Sequence, residues 1–206
     1  MAKRAKKIEP RKSNSISTLH KVLIVCEDSK SAPFYFNALK NLHSSQWKNR
    51  LDTDVASGDS SAHLSVVKTA QRLADEYKKA DEQKRGYDKI FCVFDMDRTD
   101  TYSQATTLIN RNTNFAEIKS YPCFEYWVLL HFTDCHTPFD ACHKVGNKIK
   151  TENKGVYDKG DASFFNRIVT QHKEAAERAR KREENPYTHV YQIIDYLNEH
   201  SQLRRV

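Results

Sequence analysis

Lys89-Ile90-Phe91-Cys92-Val93-Phe94-Asp95-Met96-Asp97 decides how this chain is read, because an apolar run from Ile90 to Phe94 ends abruptly in two carboxylates one residue apart. A run rich in β-branched and aromatic residues, bounded by charge, is expected of a central strand in a parallel sheet covered on both faces. Open α/β sheets place ligands just beyond the carboxyl ends of such strands. If the strand conformation persists, Asp95 and Asp97 point the same way, and their mutual repulsion favours a bound divalent cation. The alternative is that Asp95 caps the following helix and Asp97 is solvated.

The same pattern occurs earlier. Lys21-Val22-Leu23-Ile24-Val25-Cys26 is a strand that runs straight into Glu27 and Asp28, and Ser31 and Pro33 open a helix at about Ala32. Leu51 to Ala56 forms a shorter second strand, and Ser57-Gly58-Asp59-Ser60 supplies a turn. A helix from about Ser61 to Ala80 follows, with Leu64, Val67, Ala70, Leu73, Ala74 and Tyr77 at helical spacing. Tyr102 to Asn112 reads as a helix and Asn114 to Ser120 as a fourth strand. Such alternation implies right-handed crossovers in a three-layer α/β fold with a parallel sheet of about four strands. In a flavodoxin-like strand order the first and third strand ends are neighbours, and Glu27, Asp95 and Asp97 converge.

Pro122 to Phe132 is apolar nearly all round, as expected of a helix buried on several sides, and Glu125 is its anomaly. A buried carboxylate needs a metal, a base or a hydrogen-bond network, although a place at a helix N-terminus also explains it. Beyond Pro138 the chain becomes helical and basic: helices are expected over Phe139 to Lys150, Asp161 to Glu184 and Pro186 to Leu203, the last opened by Asn185 as cap. Lys173 and Arg178 are candidate phosphate contacts there, set against a solvated face stabilised by pairs such as Glu174 with Arg178.

The net charge of +7 over 206 residues favours an anionic partner such as nucleic acid. Residues 1–18 read as a basic flexible arm, 19–134 as the α/β core, and 135–206 as a C-terminal helical extension packed on it. No apolar run approaches the ~20 residues of a membrane span, so no membrane partner is expected. Five cysteines do not look like a disulfide framework, and a reducing cytoplasm is the expected compartment. The cluster His131, Cys135, His136, Cys142 and His143 lacks the close Cys pairing of common zinc sites, so scattered core and polar residues are the better reading. There is no internal repeat and no glycine-rich phosphate loop.

Four ordered motifs carry a family resemblance. They are Val22 to Glu27 with Pro33-x-Tyr35-Phe36, then Val93 to Asp97, then Pro122-Cys123-Phe124-Glu125-x-Trp127-x-Leu129-Leu130-His131-Phe132, and last Asn185-Pro186-x-Thr188-x-Val190. In this order they resemble the RloB family, over nearly the whole chain after the arm. That resemblance implies a Toprim-like fold, Mg²⁺ or Mn²⁺ held by Glu27, Asp95 and Asp97 with Glu125 as a fourth catalytic candidate, and cleavage of phosphodiesters in tRNA or DNA. Lys30 and Arg98 are the cations placed to hold a phosphate. It also implies an effector role in anti-phage abortive infection and an ABC-like ATPase partner encoded nearby, and it leaves a homodimer open. Asp28 stands where members usually carry Gly, Ala32 where they carry an acid, and Tyr121 where they carry Asn before Pro-Cys. Two rival functions stay open: a catalytically inactive nucleic-acid-binding regulatory subunit, and a haloacid-dehalogenase-like phosphatase with Asp95 as nucleophile and Asp97 as acid.

Overall fold

The computed structural model describes residues 19–47, 50–80 and 85–201. The basic arm expected over residues 1–18 lies outside the described residues.

Four strands, β1 (His20–Cys26), β2 (Leu51–Ser57), β3 (Lys89–Asp95) and β4 (Phe115–Tyr121), are parallel and stand in the order β2-β1-β3-β4. The helical crossovers are α1 (Ser31–Leu42), with the short α2 (Ser44–Trp47), then α3 (His63–Lys79) and α4 (Tyr102–Asn110). Alternation along the strands divides the core into two layers, as a parallel sheet covered on both faces requires. On one face Val22, Ile24, Phe91, Val93 and Ile118 pack with Tyr35, Phe36 and Leu39 of α1; on the other Leu23, Val25, Ile90, Cys92 and Phe94 pack with Val66, Val67 and Ala70 of α3 and Ala105 and Ile109 of α4. Space at the turn before α3 is tight: a Cβ on Gly58 would stand 3.1 Å from Val66 Cγ2 and 3.2 Å from Ser60 O. Glycine there lets α3 begin close beneath the ends of β1 and β3.

The expected α/β fold is present, with differences in its last third. A fifth strand, β5 (Tyr187–Thr188), pairs antiparallel with β4, so the extension is not purely helical. Its side chains seat it: Ser120 Oγ and Thr188 Oγ1 are 2.7 Å apart and buried, and His189 N donates to Lys119 O at 2.8 Å. Asn185 and Pro186 therefore do not open a helix; α9 (Tyr191–Ser201) starts five residues later, and the expected end at Leu203 lies outside the described residues. The helix expected over Asp161 to Glu184 is two, α7 (Ala162–Ile168) and α8 (His172–Ala179), joined by a 3₁₀ turn at Val169–Gln171. The β-branched run Ile168-Val169-Thr170, which helices accommodate poorly, sits at that break.

The apolar segment after β4 also holds less helix than its composition suggests, namely α5 (Glu125–Leu129), all five residues of which are buried. Its side chains satisfy tertiary partners: Tyr126 Oη donates to Cys135 O, and His131 lies 3.0 Å from Trp127 O and 3.2 Å from Tyr35 Oη. Next comes α6 (Cys142–Glu152). Phe164 and Phe165 of α7, with Val145 and Ile149 of α6, join the core layer of α1, so the extension and the sheet share one apolar interior. A Cys123–Cys142 disulfide ties the segment leading into α5 to the start of α6. Cysteine count and spacing did not indicate it, because the two residues are 19 apart in sequence and only the packing of α5 on α6 brings their Cα atoms to 5.7 Å. Cys26, Cys92 and Cys135 are free and buried.

Candidate active site

The register of β1 on β3 builds the site. Cys26 is opposite Val93, Glu27 N donates to Val93 O at 3.1 Å, and the next residues of both strands emerge together at the sheet's carboxyl edge. Parity then sends the two acids to opposite faces. Glu27 follows Leu23 and Val25 toward α3, and Asp95 follows Phe91 and Val93 toward α1 and α5. They are joined across the edge by the Asp95 backbone N–H, which donates to Glu27 Oε2 at 3.0 Å. Asp95 Oδ1 in turn accepts from Phe124 N at 2.8 Å, fixing the loop from β4 to α5 against the end of β3.

Glu27, Asp28, Ser61, Asp95, Asp97 and Arg98 line one cavity of about 210 Å³. Burial pushes the Glu27 carboxyl up from its ordinary range, partly offset by the Asp95 N–H and by His63. Asp95 is pushed well up, first by burial and then by the neighbouring Glu125 and Glu27 charges. Like-charged carboxylates crowded into a partly dry site are the arrangement that a cation relieves. Asp97 and Arg98 are exposed at its mouth.

Asp28, the departure from the usual glycine, has a structural role here. Its two oxygens accept from Ser31 N at 2.7 Å and Ala32 N at 3.2 Å, capping the first turn of α1. Ala32 is 2% exposed and apolar, so it offers no ligand. Ser31 reaches both ways, because its Oγ donates to Glu125 Oε1 at 2.9 Å. Glu125 is 6% exposed and also accepts from Tyr157 Oη at 3.3 Å. Burial raises its carboxyl, the Ser31 hydrogen bond opposes that, and Asp28 adds to it. Both sequence-level explanations of Glu125 hold: it stands in the first turn of α5 and belongs to a hydrogen-bond network at the acidic edge.

His63, which the sequence reading passed over, is the site's further member. At 2% exposure it opens α3, with Nε2 2.8 Å from Asp95 O and 3.6 Å from Glu27 Oε2. A carbonyl oxygen only accepts, so Nε2 carries the proton and its N–H faces both groups. A polar residue at the start of an amphipathic helix, just after a Ser/Gly/Asp turn, was the available signal.

The remaining candidates fall elsewhere. Lys30 is exposed at the start of α1 and lines neither the acidic cavity nor the groove beside Glu125. Lys173 is exposed on α8, and Arg178 of α8 donates to Leu130 O at 2.6 Å, holding the C-terminal end of α5. The suspected zinc residues are dispersed: His131 is buried against Tyr35 and Trp127, with burial holding it neutral down to about 3, and His136 pairs with Asp134. Among the described residues the trio with ligand atoms within 4.8 Å of one another is Cys123, Glu125 and Cys142. Its sulfurs are bonded to each other, so neither is a thiolate ligand, and the 3.1 Å approach of Cys142 Sγ to Glu125 Oε2 is a contact without a proton. Glu27, Asp95 and Asp97 share a cavity with wider spacing than that trio.

No helix among the described residues is long and apolar enough to cross a membrane. No curated protein and no solved structure matched the chain. A family model described as RloB-like protein matches residues 22–197, a span that opens in β1 ahead of Glu27 and closes within α9, beyond the strand that completes the sheet. With both ends of the acidic edge and the C-terminal helices inside that match, the chain belongs to the RloB-like protein family.

Proposed function

We propose that this protein is a metal-dependent nuclease of Toprim-like type, acting on tRNA or DNA as the effector of an ATPase-coupled anti-phage defence. The observation that carries this reading is the meeting of Glu27, just past β1, with Asp95 at the end of β3 and Asp97 just past it, in one cavity at the sheet's carboxyl edge. The donor set fits the expected ion. It is all carboxylate oxygen, which suits Mg²⁺ or Mn²⁺, and burial with neighbouring carboxylates raises Glu27 and Asp95, a cost that a bound cation relieves. Glu27, Asp95 and Asp97 would hold the cation, which supplies charge neutralisation and an activated water at a phosphodiester.

The chain's own groups set the stage. The Asp95 N–H holds the Glu27 carboxylate, the His63 Nε2–H donates to the Asp95 carbonyl with Glu27 Oε2 3.6 Å away, and the Phe124 N–H holds Asp95 through Oδ1. Arg98, exposed at the mouth, is placed to meet a phosphate oxygen as the strand approaches. Glu125 and Asp28 are engaged by Ser31, which makes them a supporting layer behind the first three acids.

The test is cleavage of labelled tRNA, duplex DNA and single-stranded DNA in Mn²⁺, Mg²⁺ or EDTA, with and without the neighbouring ATPase. Glu27→Gln and Asp97→Asn are compared with the wild type. Metal-dependent cutting lost in both variants is the expected result. Cutting that survives both overturns the reading. Hydrolysis of simple phosphate monoesters alone transfers the site to phosphatase chemistry, and nucleic-acid binding without cutting identifies a regulatory subunit.

A further inference from the structure

Behind the acidic cavity lies a second opening, about 410 Å³, between α6 and the loop that follows it. Its lining includes Glu125, His143, Asn147, Lys150, Tyr157 and Lys159. Ser31 is the post between the two openings: its N–H holds Asp28, which lines the acidic cavity, and its hydroxyl holds Glu125, which lines the groove. The two openings therefore lie to either side of Ser31.

We infer that this groove binds the nucleotide next to the one held at the carboxylates, with its phosphate on Lys150 and Lys159; the inference rests on the nuclease reading above. Two observations carry it. His143, Asn147 and Lys150 recur at i, i+4 and i+7 and so share one face of α6, the face turned to the groove. The lysines of α6 that lie outside the groove are already paired, Lys144 with Asp140 at 2.6 Å and Lys148 with Glu152 at 2.5 Å. Lys150 and Lys159, by contrast, have no ion pair or side-chain hydrogen bond among the described residues.

The ligand chemistry follows from this lining. Asp158 also faces the groove, but its Oδ1 accepts from Gly160 N at 2.7 Å, and Glu125 is engaged by Ser31 and Tyr157. The uncommitted groups are thus two ammonium ions, an imidazole and a carboxamide. Two cations suit a phosphate diester, while an amide and an imidazole beside them suit the hydrogen-bonding edge of a base or a ribose hydroxyl. The volume is that of a nucleotide-sized ligand, within the roughly 300–1,000 Å³ of small-ligand pockets.

The experiment is fluorescence anisotropy of the full chain with a short labelled single-stranded RNA and its DNA counterpart, in EDTA and across a salt series. Cleavage is not part of the readout, so a failure of the nuclease reading leaves this test standing. The double variant Lys150→Ala/Lys159→Ala is expected to weaken binding about tenfold or more, and to reduce the salt slope by about 0.7, the value for one phosphate contact on a single strand. The control Lys144→Ala/Lys148→Ala stays within about threefold of wild type, and because all four lysines sit at the surface, unchanged circular dichroism is expected for both. A Lys150/Lys159 variant with wild-type affinity and slope overturns the inference. So does equal affinity of the wild type for polyglutamate, which would show a cation patch without selection for phosphate.

Discussion

Asp95→Asn is expected to make the metal-free protein more stable while removing its response to divalent cations. The Asn Oδ1 still accepts from the Phe124 N–H, so the 2.8 Å hydrogen bond that anchors the loop before α5 is kept. What disappears is a charge that burial and the Glu125 and Glu27 carboxylates all disfavour. Carboxylates sharing such a site repel by roughly 1–3 kcal/mol at an effective dielectric constant near 20. For a chain of this size 1 kcal/mol moves the Tm by about 2–4 °C, so Asp95→Asn should melt roughly 3–10 °C higher than wild type in EDTA near pH 8. The sign of the pH dependence follows from linkage. Asp95 is raised in the folded state, so the native protein binds the extra proton, and wild-type stability falls as pH rises from the unfolded carboxyl value through the folded one. The gap between variant and wild type should therefore be widest at alkaline pH and close as pH falls through that window. Saturating Mn²⁺ works the other way, adding about 2.7 kcal/mol to wild type at a hundred times its Kd and little to Asp95→Asn. Differential scanning fluorimetry at several pH values, with EDTA or Mn²⁺, measures all of this. A variant that melts at or below wild type in alkaline EDTA, or that gains as much from Mn²⁺, refutes the idea that Asp95 is a strained ligand awaiting a cation.

Two further outcomes follow from the same geometry. His63→Ala removes the N–H facing Glu27 and the Asp95 carbonyl, and should raise the Mn²⁺ concentration needed for half-maximal thermal stabilisation by about 10–100-fold; an unchanged titration would reduce His63 to a packing residue against Phe94. Trp127→Ala, at a wholly buried position packed edge-on against Tyr35 and His131, should cost about 3–5 kcal/mol in urea unfolding, and a loss under 1 kcal/mol would show that α5 is not part of the shared core.

Much of this protein is local in origin and was legible residue by residue. The apolar runs Val22–Cys26 and Ile90–Phe94 can hardly be other than buried parallel strands, and the acids that end them are where an open α/β sheet keeps its ligands. Helical spacing marked α3, and Ser31 with Pro33 marked the start of α1, again from neighbouring residues. The last third resisted this approach because its elements are set by partners distant in the chain. Tyr187 and Thr188 become a strand because β4 offers an open edge, and Pro186 consequently fails to start the helix that its sequence context suggests. Glu125 was visible as an anomaly, but its engagement by Ser31 and Tyr157, 94 and 32 residues away, was not.

The sequence by itself determined the two acid-tipped strands, their helical crossovers and the net positive charge, because periodicity, burial preference and charge are properties of neighbouring residues. Only the tertiary structure decided which acids share a cavity, since strand register and parity send Glu27 toward His63 and Asp95 toward Phe124, and side-chain direction across strands is a property of pairing. It also decided that Asp28 caps α1 and that Cys123 reaches Cys142. These contacts join segments whose separation along the chain carries no information about their distance in space.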